Sequence, residues 1–244
     1  MKYVQGPLVY EGKAKKIYSV EGSDELVWIY FKDDLTAFNA AKKGLMENKG
    51  VINKSISDCI FKYLERNGVK THLVEDIDSR NQVVRKLKIV PLEVVVRNTL
   101  AGSTAKKFSL PEGTPLREPL LEFFYKNDEL NDPFINDEQA MMIEAVNSLE
   151  QIIQIKSLAR RINFLLTQFF DAVDIKLVDF KIEFGVTSEG EIFLGDEITP
   201  DSCRLWDKHS QEKMDKDRFR RDLGRLDEMY LEVLNRIQKK WGTK

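Results

Sequence analysis

Apolar and polar positions alternate in short runs at the start of the chain and fall into helical spacing further along it. Residues 8–10, 16–20 and 26–31 read as strands separated by Glu11-Gly12 and by Glu21-Gly22-Ser23-Asp24, which predicts an antiparallel opening. A helix is expected over residues 53–66, where Ile56, Ile60, Tyr63 and Leu64 share a face and Asn67-Gly68 supplies a stop signal. Residues 73–74, 83–87 and 92–96 read as further strands. The stretch 109–137, rich in Pro, Gly and Asn, reads as a long surface excursion with a functional purpose, since it carries Tyr125-Lys126-Asn127-Asp128. Apolar residues at i, i+3, i+4 spacing predict one long amphipathic helix over 148–173 and a second over 215–241, with Phe219, Leu223, Leu226, Tyr230, Leu234 and Ile237 inward.

Chemistry enters with the alternation in Leu177-Val178-Asp179-Phe180-Lys181-Ile182-Glu183-Phe184-Gly185. Strand side chains point to alternate faces, so Asp179, Lys181 and Glu183 share one face and Phe180, Ile182 and Phe184 the other. Ser188-Glu189-Gly190 reads as a turn, and the returning strand 191–194 brings Asp196 roughly opposite Glu183. A solvated hairpin shows the same alternation. Here the second strand runs straight into a loop, residues 195–207, that adds, beyond Asp196, three more acids and Arg204, and this density favours a site.

Two other stretches suit anions. Glu11-Gly12-Lys13-Ala14-Lys15 places a glycine turn before lysines which, two apart on a strand, share a face and could meet phosphate oxygens. Alone, it fits a solvated hairpin turn better than a phosphate site. The apolar strand at 92–96 ends in Arg97 and a turn closed by Gly102-Ser103, and a guanidinium fork suits bidentate binding of carboxylate or phosphate. An arginine paired with a surface acid is the equal alternative, and placement at a strand end favours the ligand.

Composition narrows the chemistry. With 244 residues the chain can bury a large core and support a cleft. A formal net charge of −2 with dispersed basic residues gives no footprint for nucleic acid or an anionic membrane. No apolar run approaches the roughly 20 residues of a membrane helix, and residues 1–7 lack the apolar core of a signal peptide, so a soluble cytoplasmic protein is expected. Cys59 and Cys203 form no disulfide framework, and His72 and His209 lack metal-ligand spacing. Any reaction therefore falls to carboxylates, lysines, arginines and backbone amides, an inventory suited to phosphate and Mg²⁺. Glu183 and Asp196 match the carboxylates that hold Mg²⁺ on a nucleotide, and Arg204 could stabilise an anionic substrate or a transferring phosphoryl group.

In five stretches the chain resembles the phosphoribosylaminoimidazole-succinocarboxamide synthase (SAICAR synthetase) family: EGKAKKIY, VPLEVVVRNTLAGS, LVDFKIEFG, GDEITPDSCRLWDK and EKMDKDRFRRDLG. The resemblance spans nearly the whole chain in the family's order. It implies an ATP-dependent ligase of purine biosynthesis that condenses 5-amino-1-(5-phosphoribosyl)imidazole-4-carboxylate with L-aspartate to SAICAR, ADP and phosphate, through an acyl phosphate. The order of elements, β-rich and then mixed with helices outside, itself argues for an α+β protein of two lobes, and the resemblance adds an ATP-grasp- or kinase-like nucleotide cleft. A β-rich lobe, residues 1–88, would bind ATP, and residues 89–244 would form the substrate and metal lobe.

By the same resemblance Lys13 and Lys15 contact ATP phosphates, Lys86, Leu87 and Ile89 bind adenine through the backbone, and Glu183 and Asp196 hold Mg²⁺. Arg97, Ser103, Asp179, Lys181 and Arg204 bind the imidazole ribotide, with Lys126 and Arg220 as further polar contacts. Asp179, Lys181 and Arg204 stand at the chemistry. A homodimer with small-molecule substrates, and neither nucleic acid nor membrane, is the expected assembly. One departure is Asn39, where family members commonly carry Asp. Rival readings are a small-molecule kinase, for which the HRDxxxxN and DFG signatures are missing, and a nucleotide sensor, which has no use for the charged row with Arg97 and Arg204.

Overall fold

A computed structural model describes residues 2–37 and 41–242, and Asn39 lies outside the described residues. The alternating runs at the start form β1 (Gln5–Glu11), β2 (Lys15–Val20) and β3 (Ser23–Phe31), all antiparallel. A short pair, β4 (Asp34–Ala37) and β5 (Lys42–Leu45), leads into α1 (Lys49–Arg66). With β6 (Leu73–Asp76) and β7 (Asn81–Arg85) the chain returns to the first sheet, whose order among the described residues is β1-β2-β3-β7-β6.

A second sheet starts at β8 (Lys88–Thr99) and, after α2 (Gly102–Lys107), adds β9 (Pro115–Tyr125) and β10 (Phe134–Ile135). The helices α3 (Asp137–Met142) and α4 (Leu149–Asp171) then lead to β11 (Ile175–Val186), β12 (Ile192–Leu194) and β13 (Cys203–Asp207). The order is β10-β9-β8-β11-β12, with β13 also paired to β11. The chain closes with α5 (Asp217–Arg220) and α6 (Leu226–Trp241). Both sheets and the helices match the α+β expectation.

The main core lies between the second sheet and α1, α4 and α6. Phe180, Ile182 and Phe184 point into it and are fully buried, each worth about 1.5–3 kcal/mol. Asp179, Lys181 and Glu183 therefore occupy the opposite face of β11, as alternation requires. Along its far edge β11 pairs with β13 at residues 175–180 and with β12 at 184–186. Between these, a connecting segment crosses: Lys181 N–H donates to Ser202 O at 2.8 Å and Gly195 N–H to Glu183 O at 2.9 Å. Over that stretch the far edge of β11 meets no strand among the described residues.

Helix α1 belongs to residues 1–88 but packs Ile56, Ile60 and Leu64 into the core of the second sheet. Its first turn also meets the first sheet. Gly50 N–H donates to Asp33 Oδ1 at 2.9 Å, and Arg80 forks the same carboxylate at 2.8 and 2.9 Å. A Cβ on Gly50 would stand 2.4 Å from Phe31 O. Gly50→Ala is expected to lower stability by about 1–3 kcal/mol, because backbone on both sides must move. Urea unfolding measures it, and an unchanged midpoint would count against this close approach.

Three expectations need correction. The 109–137 excursion contains β9, paired along β8, and β10. Pro115 and Pro119 hide that strand in the sequence, yet its early part has one free edge where proline is tolerated. The helix over 215–241 is broken between α5 and α6 by Asp222, Gly224 and Arg225, all at φ between 53° and 65°. A right-handed helix cannot pass through that conformation, and Leu223 is exposed. The loop at 195–207 is in part β13, so Arg204 sits on a strand.

Candidate active site

The charged face of β11 forms a wall of two adjoining cavities. Asp179 lines one of about 330 Å³, Glu183 one of about 610 Å³, and Lys181 lines both. Lys13, Glu93 and Asp132 also line both and complete the shared wall.

In the smaller cavity the strand register assembles an arginine pair. Arg97 on β8 and Arg204 on β13 both lie beside Asp179. Their Nη1 atoms donate to Asp179 Oδ2 at 2.7 and 2.8 Å, and Arg97 Nε donates to Glu122 Oε2 at 2.6 Å. Carboxylates thus fix the guanidinium groups from the protein side. Arg204 also rests on Gly102, at φ +59°, where a Cβ would stand 2.4 Å from its Nη2. Arg220 and Lys216 line the same cavity.

Asp201, at its edge, is nearly buried. Its Oδ2 receives Lys49 Nζ at 2.7 Å and Asn53 Nδ2 at 3.0 Å, and its Oδ1 the Tyr230 hydroxyl at 2.8 Å. Burial opposes its charge, but Lys49 and Lys216 outweigh it and hold the carboxyl well below the usual 3.8. A depressed folded-state pKa contributes stability that is present above the unfolded value and lost as pH falls toward the folded one. Wild-type stability is expected to decline below pH 3.8 in urea titrations. Asp201→Asn should cost stability at pH 7 and remove this part of the acid slope. An unchanged slope would separate Asp201 from the acid response.

The larger cavity is apolar at one end and charged at the other. Its apolar end includes Val27, Val84, Leu87 and Ile89. Leu87 approaches β11 so closely that a Cβ on Gly185 would stand 2.6 Å from its Cβ, which explains the glycine ending the charged row. At the charged end Lys15 pairs with Asp196 and Glu197, and Lys126 with Glu183. Lys181 Nζ donates to Glu93 Oε1 at 2.6 Å and Glu183 Oε1 at 3.2 Å. Burial disfavours its charge, but Glu183, Glu93 and Asp196 raise its pKa, so it is an ammonium at neutral pH. Burial likewise opposes the charge of Asp196, yet Lys15 brings its pKa well down, while burial and Asp196 push Glu197 up to about 7. His72, which lines the same cavity, is pushed down to about 4 by burial and Lys15, so it is neutral, and its Nε2 has no hydrogen-bond partner among the described residues.

Lys13, Lys15, Lys86, Leu87, Ile89, Lys126, Glu183 and Asp196 all line the larger cavity, while Arg97, Asp179, Lys181, Arg204 and Arg220 line the smaller. Ser103 lines neither and is exposed in the first turn of α2. The two lysines do not share a strand face. Lys13 lies in the turn before β2 and donates to Asp128 Oδ1 at 2.8 Å, away from the acids of Lys15.

The family model described as SAICAR synthetase matches residues 8–237. The chain belongs to the SAICAR synthetase family. A phosphoribosylaminoimidazole-succinocarboxamide synthase of Campylobacter fetus is 53% identical, over 94% of this chain and 97% of its own. Among solved structures, the enzyme of that name from Ehrlichia chaffeensis has a TM-score of 0.92 at 41% identity, covering 95% of this chain and 98% of its own. A SAICAR synthetase (Type-2) solved in complex with ADP has a TM-score of 0.91 at 44% identity, covering 97% of this chain and 100% of its own.

Within this SAICAR synthetase fold, sequence reasoning missed Glu93, Asp132 and Asp201. Glu93 was within reach, because the alternation that ends in Arg97 puts Glu93, Val95 and Arg97 on one face of β8. Asp132 adopts φ 45° in the segment between β9 and β10, and no periodicity marks it.

Proposed function

We propose that this chain carries out ATP-dependent condensation of 5-amino-1-(5-phosphoribosyl)imidazole-4-carboxylate with L-aspartate, holding nucleotide in the larger cavity and ribotide in the smaller. The ligase activity is that of its family. The division of labour rests on one observation, the wall of Lys13, Glu93, Asp132 and Lys181 common to both cavities. Support for nucleotide in the larger comes from its apolar end beside Lys86, Leu87 and Ile89 and from the related enzyme solved with ADP.

A carboxylate does not acylate an amine at neutral pH, because oxide is a poor leaving group. In the proposed sequence a ribotide carboxylate oxygen attacks the γ-phosphorus and ADP departs. The aspartate amine then attacks the acyl carbon, phosphate leaves, and the nitrogen gives up a proton. No protein nucleophile is needed, only alignment and charge stabilisation. Lys13 and Lys15 bind phosphates, and Lys181 holds an ammonium where the two ligands meet. Arg97, Arg204 and Arg220 bind the ribotide with Asp179, and Lys126 adds a polar contact. A ribotide contact for Ser103 rests on the family resemblance alone, since Ser103 lines neither cavity.

Glu183 and Asp196 fit Mg²⁺. Both are oxygen donors in the charged end of the larger cavity, already balanced by three ammonium groups, and no cluster of three or more ligating side chains occurs among the described residues. Mg²⁺ commonly takes one or two carboxylates and completes its shell with phosphates and water. When bound it would neutralise phosphate charge. The lobe division at 88/89 is carried from the order of elements, a cytoplasmic location from the sequence reading, and a homodimer from the family resemblance, and a monomer mass in sedimentation equilibrium would remove the dimer.

Calorimetric titration tests the two sites. ADP and the ribotide should bind together at one site each, whereas mutual displacement would mean a single shared cavity.

A further inference from the structure

Behind the arginines of the smaller cavity lies a carboxylate that does not line the cavity itself. Asp217 opens α5, and its side chain is only 2% exposed. Its Oδ2 accepts from Arg204 Nε at 3.0 Å and its Oδ1 from Arg220 Nη1 at 2.6 Å. Arg221 Nη2 stands 3.4 Å from Oδ2, but that side chain already forks Glu112 at 2.9 and 2.6 Å. One buried acid therefore joins a guanidinium on a strand to another on a helix, and both of these line the cavity.

Asp217 is itself fixed by the backbone. Its N–H donates to Asp215 Oδ1 at 2.7 Å, and Asp215 Oδ2 accepts from Leu205 N–H at 2.8 Å. Asp215, fully buried, thus staples β13 next to Arg204 onto the start of α5. Asp179 and Gly102 fix the rest of the Arg204 fork, while only one nitrogen of Arg220 is spent on Asp217.

We propose that Asp217 is a positioning residue of this enzyme, holding Arg204 and Arg220 in one fixed relation so that both meet the same anionic ligand. A long guanidinium side chain loses rotamer entropy on binding, and prior fixation removes that cost. The alternative is that Asp217 only offsets positive charge. The two differ in sign: removing a charge offset tightens anion binding, and removing a positioning contact weakens it. The inference rests on the assignment of the smaller cavity to the ribotide.

Steady-state kinetics of the full chain separate the two levels. Asp217→Asn is expected to raise the ribotide KM about 10- to 100-fold, with the ATP KM changed by less than about twofold. In an Arg204→Ala/Arg220→Ala background, which itself raises ribotide KM, the same substitution should have no further effect, because its partners are gone. An unchanged ribotide KM in that double variant would overturn the cavity assignment. If the double variant responds but Asp217→Asn leaves ribotide KM unchanged, lowers it, raises both KM values equally, or acts additively, the positioning role fails. Should Asp217→Asn not fold, Asp217→Glu displaces the carboxylate by one methylene and is judged by the same comparisons.

Discussion

Lys181→Met is expected to lower kcat by about 100- to 1,000-fold while the protein stays folded. Methionine keeps the apolar stem of lysine and ends one heavy atom short of it, and Glu183 retains Lys126. What disappears is the ammonium of the shared wall, held 2.6 Å from Glu93 and 3.2 Å from Glu183. That charge stands where phosphoryl oxygens would pass between the cavities, and a fixed charge in a site with little water has more effect than one in solvent. The expected signature is a fall in kcat larger than any rise in either KM, since the missing interaction strengthens in the transition state. Circular dichroism and melting check the fold. A kcat within threefold of wild type would remove Lys181 from the chemistry.

The second large effect is expected at the acids of the larger cavity. Glu183→Gln and Asp196→Asn should each lower Mg²⁺-dependent turnover by about 100-fold or more and move half-saturation to higher Mg²⁺, because each would remove one of the two carboxylates proposed to hold the ion. Both substitutions keep shape, but Asp196→Asn should also cost stability at pH 7, because Lys15 holds that carboxyl well below its usual range, so urea unfolding accompanies the assay. The lysines now paired with these acids make the result more informative. If Glu183 served only to hold Lys126 and Lys181, its loss would impair turnover without altering the Mg²⁺ dependence. Wild-type turnover and wild-type Mg²⁺ dependence in both variants would exclude them from a metal site.

The charged row of β11 was legible in the sequence because a strand has a period of two, and three alternate residues were ionisable. Its burial was less visible, since a solvated strand shows the same alternation. What distinguishes the two is long-range: Arg97 and Arg204 arrive beside Asp179 only through pairing with β8 and β13. β13 itself read as a loop, being short and flanked by Pro200 and a run of acids. β9 was hidden by two prolines that its free edge tolerates. Asp217 has a local partner in Arg220 three residues on, but its link to Arg204 carries no local signal, because that partner comes from β13. The motifs matched to the family did reach most of the cavity lining. Ser103, exposed and outside both cavities, is the exception.

The most direct test of two cavities meeting at Lys181 is an omission assay with ATP, Mg²⁺, the imidazole carboxylate ribotide and L-aspartate, following ADP, phosphate and SAICAR together. With all four present, ADP, phosphate and SAICAR should form in equal amounts, and leaving out the ribotide or aspartate should stop sustained ADP release. Stoichiometric, continuing ADP release without consumption of aspartate would contradict the ligase assignment and leave a kinase or an ATPase in its place.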